Sequence, residues 1–262
     1  MKYRITFSLI VLLGLSSLSL QAQKSVTLRL NPKQGRTYTI KSKTSMMNMM
    51  EVQGQSMSSS QIIEDRHTFS AKDINAKDIT FEGQIEAMKM TVSQMGMTLT
   101  YDSEHPEKTS PMLTNQTEAI SEELHKIKTA KFDFLGNMID EEDEDEDKLE
   151  QINAIVPLPA EPATEGSTWT FEKNQEAGGV DIHATMTYTV TKISKKSIDL
   201  DIKGVVKSDN EICGSYEGTG SLDPQTGLLI TSSLKQNISI TISEQGMSIP
   251  ITITGTTTVT VE

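Results

Sequence analysis

Residues 249–261 read IPITITGTTTVTV, and this stretch decides the fold class. Its odd positions are mostly aliphatic and its even positions mostly threonine, and such period-two alternation is typical of a β-strand with one buried face. Just before it, Ile238, Ile240 and Ile242 alternate with small polar residues, and the polar segment 243–246 separates the two runs. The two stretches therefore predict an antiparallel hairpin with one apolar face.

The same alternation recurs along the chain, and parts of the chain resemble each other. Three pairs of segments match in the same order, namely 35–40 with 166–171, 68–81 with 187–200 at a constant offset of 119, and 133–139 with 223–230. One match would be chance, but three in order indicate duplication. We therefore expect a mostly β, antiparallel protein whose two duplicated halves form one curved sheet, an open barrel or two packed sheets.

The repeats also define an expected domain organisation. We predict one β domain at residues 23–262, built from related halves at about 24–139 and 164–262. An acidic, proline-containing linker at 140–163 should join the halves. A single continuous domain is preferred because two halves with open sheet edges protect those edges by pairing with each other.

One or two short helices are expected between the halves. Ser121, followed by Glu122 and Glu123, has the pattern of a capped helix start and predicts a helix near 119–128. A second helix is predicted at 148–155, where it would end before Pro157.

The N-terminus has the features of a secretory signal peptide. Lys2 and Arg4 precede an apolar run at 5–20, and the small residue Ala22 follows. The run is shorter than the roughly 20 residues that a membrane-spanning helix needs. We therefore predict a signal peptide at residues 1–22, cleaved after Ala22, and a periplasmic or extracellular location. No cysteine lies near this site, so the protein is not expected to be a lipoprotein.

The composition makes some partners unfavourable. The formal charge is −12, and loss of Lys2 and Arg4 with the signal peptide would change it to −14. A chain this acidic is a poor partner for nucleic acid or an anionic membrane surface. The one cysteine, Cys213, permits no internal disulfide. No segment after residue 22 is apolar enough to be predicted to cross a bilayer.

Eight consecutive acids at Asp140–Asp147 suggest a cation site. An EF-hand loop, however, needs a glycine at its sixth position, and this run has none. We interpret the run as a solvated, self-repelling loop, with weak nonspecific binding of divalent ions as the alternative, and predict no metal site.

Methionines cluster at Met46–Met57 and Met88–Met97, and soft thioethers outside the cytosol can bind Cu(I). Alternation within a strand favours a different interpretation, because residues two apart share one face and methionine is an adaptable apolar lining. We predict that two strand faces line a cavity for an apolar ligand. The lining residues would be Met88, Met90 and Val92 on one strand, and Ile198, Leu200 and Ile202 on another.

Catalytic motifs are missing from the sequence. His67, His105, His125 and His183 are scattered, and no nucleophile elbow, phosphate-binding glycine loop or zinc-protease motif occurs. A Cys–His pair remains an alternative, but Cys213 on a predicted strand is interpreted as an incidental thiol. We predict no catalytic residues, no cofactor and no enzymatic activity.

Residues 35–40 (GRTYTI), the methionine-rich hairpin after them, and 158–169 resemble exported Bacteroidota proteins that form a domain family of unknown function. That resemblance implies no active site. At the level of fold alone, two curved halves are also similar to the half-barrels of Lol-type lipoprotein carriers. We therefore expect a non-enzymatic binding module for a lipid or another apolar small molecule. The alternative is a structural or protein-interaction component of the cell envelope, with another envelope protein as its partner.

Overall fold

The fold is one antiparallel sheet of eleven strands. The computed structural model describes residues 24–52, 54–139, 152–177, 180–208, 211–244 and 247–262. The strands are β1 Thr37–Val52, β2 Gln55–Ile74, β3 Asp78–Gln94, β4 Met97–Asp102, β5 Lys128–Asp133, β6 Thr168–Ala177, β7 Val180–Ile193, β8 Ile198–Ser208, β9 Glu211–Leu222, β10 Leu229–Glu244 and β11 Met247–Val261. Helix α1 Thr114–Glu123 follows two 3₁₀ turns, Pro106–Lys108 and Pro111–Leu113. The predicted mostly β, antiparallel fold class is confirmed.

The strand order joins the two ends of the chain. It runs β4-β3-β2-β1-β11-β10-β9-β8-β7-β6, and β5 pairs with residues 78–83 of β3, on the edge whose other end pairs with β4. The predicted hairpin is β10–β11, where Ile242 lies opposite Ile249. β1 pairs with β11 from Ile40 opposite Val261 to Met50 opposite Ile251. All described strands therefore belong to one sheet rather than two packed sheets, and the sheet stays open because β4 and β6 do not pair with each other.

The two matching segments share details of backbone geometry. The β2–β3 register shifts between Ala71 and Asp73, and the β7–β8 register shifts between Val190 and Lys192, which lie 119 positions later. At each bulge a glycine N–H donates to the buried residue's carbonyl oxygen, at 3.0 Å to Ala71 and 2.8 Å to Val190. These shared bulges support the duplication, which stays a prediction together with the boundaries of the halves.

The aromatic positions of the repeat correspond as well. Tyr38 stacks on Phe69 with ring centroids 5.2 Å apart, and Trp169 stacks on Tyr188 at 5.5 Å. Each pair joins the first strand of a half to the second, with the two residues directly opposite each other. Stacked pairs of this kind stabilise beyond the area they bury, by about 0.5–1.5 kcal/mol. Both halves thus carry the same packing anchor.

One face of the sheet, here called the inner face, is covered at one end by two non-strand segments. These segments, residues 24–34 and 152–163, are here called the plug. Its buried apolar residues are Leu28, Leu30, Ile152, Ala154, Ile155, Leu158 and Ala163. They form a single core cluster with inner-face residues of both halves, among them Phe81 and Leu200. The plug therefore replaces the second layer that a sheet of this size would otherwise need.

Hydrogen bonds fix the plug in place. Val26 and Ala163 exchange backbone hydrogen bonds of 2.9 and 2.8 Å, which ties the two segments together. The Arg29 guanidinium donates to the carbonyl oxygens of Pro159 and Ala160, at 3.0 and 2.7 Å. Trp169 donates its indole N–H to the Pro157 carbonyl oxygen at 2.8 Å. These bonds satisfy carbonyl groups that would otherwise be left without partners when the segment is covered.

The two Asp-to-Gly turns of the repeat press against the plug. A Cβ at Gly136 would lie 2.6 Å from the Val156 carbonyl oxygen, and one at Gly227 would clash with that of Arg29. Both glycines have positive φ, 79° and 71°, which other residues rarely adopt. At both contacts glycine is therefore required for two reasons, the positive φ and the lack of space for a Cβ atom.

The helix predictions were only partly correct. The helix begins at Thr114 and ends at Glu123, earlier than predicted, and it lies between β4 and β5 rather than between the halves. Ser121 is not its cap, because the Ser121 hydroxyl donates to the Thr117 carbonyl oxygen at 2.8 Å inside the helix. In the second predicted helix, 148–155, residues 148–151 lie outside the described residues, and 152–155 form a turn. The predicted signal peptide and the acidic run also lie outside them. No described helix is both long and apolar enough to span a bilayer.

Tyr188 provides a test of the packing in the second half. Burial raises the pKa of Tyr188 to about 12 from its ordinary value of 10.0, so its contribution to stability is complete below pH 10 and declines as the pH rises towards 12. Tyr188→Phe keeps the stacking on Trp169 and copies Phe69 of the first half. Between pH 10 and 12 the free energy of unfolding should fall less in the variant than in the unmodified protein. The difference between the two losses should be about 2.5 kcal/mol at most. Urea unfolding at several pH values would measure this, and an equal loss in both proteins would contradict it.

Candidate functional site

The end of the sheet opposite the plug, here called the distal end, consists of short hairpin turns. In every hairpin there, two residues separate the last register pair. These pairs are Val52 with Gln55, Gln94 with Met97, Ala177 with Val180, Ser208 with Glu211, and Glu244 with Met247. Connections this short cannot themselves form a layer over a sheet. Beside β4, however, helix α1 approaches the inner face, where Tyr101 lies opposite Met90 and its hydroxyl is 3.2 Å from that of Ser121.

The first half presents an apolar surface on this part of the inner face. It is here called the methionine face and comprises Met46, Met50, Met57, Ile63, Met88, Met90, Val92 and Leu99. Met50 lies opposite Met57 and Ile63 opposite Met90, but polar residues on the same face separate these pairs, since Asn48 lies opposite Ser59 and Gln61 lies between Met46 and Val92. All the methionine-face residues are half-buried, whereas the buried core residues are concentrated around the plug. The methionine face is thus apolar but not fully covered.

A bulge in β3 places the predicted residues on this face. The β2–β3 register shifts between Arg66 and His67, so that Ile85 lies opposite His67 and Ala87 opposite Arg66. In a regular strand, Met88 and Phe81 would point to opposite faces, because their numbers differ by seven. The extra residue brings both to the inner face. The bulge is therefore what joins Met88, Met90 and Val92 to the surface that continues from the core.

The second half buries the corresponding surface against itself. Ile182, Val206, Ile238 and Ile240 form a separate cluster made of strand residues only. Ile182 is the repeat counterpart of Ile63, 119 positions later, and is 3% exposed. The inner face is therefore closed in one half and open in the other.

Inward-facing glycines let neighbouring strands of the second half approach each other closely. A Cβ at Gly214 would lie 2.8 Å from the Ile238 Cα atom, and one at Gly218 would clash with the Ser233 carbonyl oxygen. Neighbouring strands approach these positions more closely than any side chain would allow. The methionine face instead carries long side chains at its inward positions.

The six predicted lining residues share the inner face but not one environment. Ile202 and Met90 belong to one continuous cross-strand row that runs through Ile63, Thr44, Thr257, Leu234 and Gly218. However, Ile198, Leu200 and Ile202 are buried in the core with the plug, whereas Met88, Met90 and Val92 lie on the methionine face. Ligand lining stays a prediction for all six. The described contacts of Ile198, Leu200 and Ile202 are with the protein's own core.

A polar group that the sequence did not reveal lies beside the methionine face. The Ser42 hydroxyl donates to Asp65 Oδ2 at 2.5 Å, and His67 Nε2 lies 2.9 Å from Asp65 Oδ1. The His67 approach is poorly aligned for a hydrogen bond, so Oδ1 is buried without an aligned donor among the described residues. The sequence could have indicated that Asp65 and His67 lie on the same face as Phe69, since residues two apart on a strand share a face.

This polar group lacks the connectivity of a nucleophilic site. In a hydrolytic triad the serine donates to an imidazole, which the carboxylate orients. Here the Ser42 hydroxyl donates to the Asp65 carboxylate, and His67 approaches the other carboxylate oxygen. The arrangement therefore lacks the serine–imidazole hydrogen bond of such a triad.

Two of the depressions on the outer face have volumes of about 480 and 620 Å³. The first is lined by charges of both signs that pair with each other, Lys43 with Glu64 at 2.7 Å and Arg66 with Glu104 at 2.8 Å. The Glu104 hydrogen bond also raises the pKa of Arg66. The second is lined mainly by serine, threonine and asparagine. Neither has the apolar lining typical of a small-molecule site.

The first methionine cluster does not converge on one point. Met46 and Met50 face inward, whereas Met47 and Met49 lie between them on the outer face. Adjacent strand residues point to opposite sides, so these four thioethers cannot ligate one ion. Within the part of the chain that the structure describes, no three His, Cys, Asp or Glu side chains are grouped to hold a metal. Burial raises the pKa of Cys213, which makes its thiolate less available.

Comparisons with known proteins reveal only remote similarity. No protein-family model matches the sequence, and a search of curated proteins finds no match. The chain is similar to lipovitellin in a structure of its lipid–protein interactions, with a TM-score of 0.48 and 9% identity over 88% of this chain and 25% of that one. It therefore spans about a quarter of the lipovitellin chain.

Two bacterial structures are more remote. The translocator domain of the autotransporter NalP from Neisseria meningitidis gives a TM-score of 0.33 and 7% identity, over 87% of this chain and 90% of that one. A Vibrio parahaemolyticus domain named for outer membrane lipoprotein sorting gives 0.17 and 6%, over 82% and 83%. Similarity at these levels carries no argument about function. The resemblances to a Bacteroidota family and to Lol-type carriers stay predictions.

The copper alternative can be tested by substitution, and we expect it to fail. Replacing Met47 and Met49 with leucine should leave Cu(I) binding, measured by competition with a chelator of about micromolar strength, unchanged, because these side chains do not converge with Met46 and Met50. The double variant should lose less than about 1.5 kcal/mol of unfolding free energy. Loss of competition by the double variant alone, and not by Met112→Leu, would establish a thioether site and contradict this.

Proposed function

We propose that this protein is a non-enzymatic binding module that holds an apolar ligand, such as a lipid, on the methionine face. One observation carries the proposal. The plug covers the inner face at one end and the second half buries its own distal inner face, whereas the methionine-face residues are only half-buried and belong to neither buried core cluster. Apolar surface that stays partly exposed and is bordered by polar residues is commonly a binding site.

The chemistry of the face suits a flexible apolar chain. Methionine is unbranched and polarizable, so its side chains can adapt to ligands of different shape. Each CH₂ group that a ligand buries contributes about 0.8 kcal/mol, against an association cost of several kcal/mol. A chain of about ten carbons would therefore bind measurably, whereas a two- or three-carbon ligand would not.

The absence of a catalytic arrangement in the sequence supports a role in binding rather than catalysis. The export signal predicted at residues 1–22 supports a location outside the cytoplasm. Together these features favour a carrier or sensor in the periplasm or outside the cell.

A second function, protein interaction in the envelope, is favoured by the edge strand β6. β6 pairs with β7 on one edge, and its other edge pairs with no described strand. The opposite edge strand, β4, is protected, because Ser110 N–H donates to the Thr100 carbonyl oxygen at 2.7 Å. An unprotected edge can accept a strand from a partner.

Lipid extraction and native mass spectrometry of the protein purified from its own host test the first proposal. Met90→Asp introduces a charge on the methionine face and should abolish lipid co-purification without unfolding the protein. Met47→Asp is the matched control, since Met47 is 48% exposed on the outer face, and this variant should retain the lipid. Leu200 is unsuitable for this test, because it is 2% exposed within the core and an aspartate there should unfold the protein. Lipid-free protein, or equal lipid in both variants, would favour the envelope role.

A further inference from the structure

The inner face of the first half combines apolar residues with the half-buried carboxylate of Asp65, whose Oδ1 atom is itself buried. Asp65 lies directly opposite Met88, in the row next to the pair formed by Ile63 and Met90. Its side chain is 12% exposed. A long ligand on the methionine face would therefore place one end beside Asp65.

Among the residues that the structure describes, the one basic side chain paired with Asp65 is His67. The basic residues at neighbouring strand positions, Lys41, Lys43 and Arg66, alternate onto the outer face. There they pair with Glu262, Glu64 and Glu104 at 2.7–2.8 Å. A buried carboxylate with one hydroxyl donor and one poorly aligned imidazole lacks the compensation that buried charges usually have.

The fold itself does not require this polar group. The repeat counterparts of Asp65 and His67, 119 positions later, are Ala184 and Met186. Ala184 is buried, and Met186 packs against the core, so apolar residues satisfy the same places in the second half. A costly polar group that only the open half carries is typical of a ligand-contacting position.

We propose that the ligand of the methionine face is amphipathic, with a long alkyl chain and an amine head group that donates to Asp65 Oδ1. This inference rests on the proposed function and adds the class of ligand. An ammonium supplies the charge and the N–H donor that the carboxylate lacks. Met88, directly opposite, has an unbranched side chain whose rotation would admit the head group without a change in the backbone.

Three probes of equal chain length test the proposal at pH 7, namely decylamine, decanol and decanoate, each below its micellar concentration. Isothermal titration calorimetry on the unmodified protein should rank decylamine first, about tenfold or more tighter than decanol, with decanoate weakest. This ranking needs no variant. Decanol binding as tightly as decylamine would overturn the proposal.

Two variants test whether Asp65 causes the preference for decylamine over decanol. Asp65→Asn should reduce the decylamine-to-decanol preference to within about threefold while leaving decanol affinity unchanged. Asp201→Asn removes the same charge from an exposed outer-face position, where Lys203 lies 3.9 Å away, and should keep the preference. Circular dichroism would check that both variants are folded. An equal loss in both would overturn the proposal, because it would assign the preference to overall charge.

The outcomes separate this inference from the proposed function. Binding of decanol and decanoate without a preference for the amine would overturn the inference alone. Failure of all three probes to bind would overturn both.

Discussion

The pairing of β1 with β11 is the constraint on which the rest of the structure depends. It joins the first strand to the last, and it ends with reciprocal backbone hydrogen bonds between Thr39 and Glu262, at 3.0 and 2.9 Å. Without it, each half would have two open edges. With it, inner-face rows run continuously across both halves, so one plug can cover core residues from both.

The difference between the halves follows from residues at matching positions. In the second half, inward glycines in β9 let neighbouring strands approach, and the distal isoleucines bury one another. In the first half the inward positions hold long methionine side chains, which keep the surface open. The two halves thus share one core but differ at the distal end, where the second half packs against itself and the first half carries the methionine face, to which the proposed function is assigned.

Local pattern was sufficient to predict the sheet. The alternation at 249–261 correctly indicated a hairpin, and the repeat at 68–81 and 187–200 correctly aligned equivalent strands, because both depend on neighbouring residues. The plug was not predictable in this way. Leu28, Leu30 and Leu158 are ordinary apolar residues in sequence, and their burial depends on contacts more than 100 positions away.

The site was predicted in part, and the failures have a common cause. Met88, Met90 and Val92 share a face as predicted, but a bulge that no local signal revealed sets which face. Leu200 and its neighbours share that face too, yet long-range packing covers them. Ser42 and Asp65 meet only through the β1–β2 register. Alternation gives the face of a residue within its strand, whereas cover and cross-strand partners are properties of the whole fold.

The central claim is that the methionine face is an open binding surface while the other methionine positions are not. Oxidation of the methionines by dilute hydrogen peroxide, followed residue by residue with mass spectrometry, measures it directly. Decanol should slow oxidation of Met88 and Met90 but not of Met47 and Met49, which are 48% and 42% exposed on the outer face. Equal protection of all four methionines, or protection of none while decanol is bound, would contradict it.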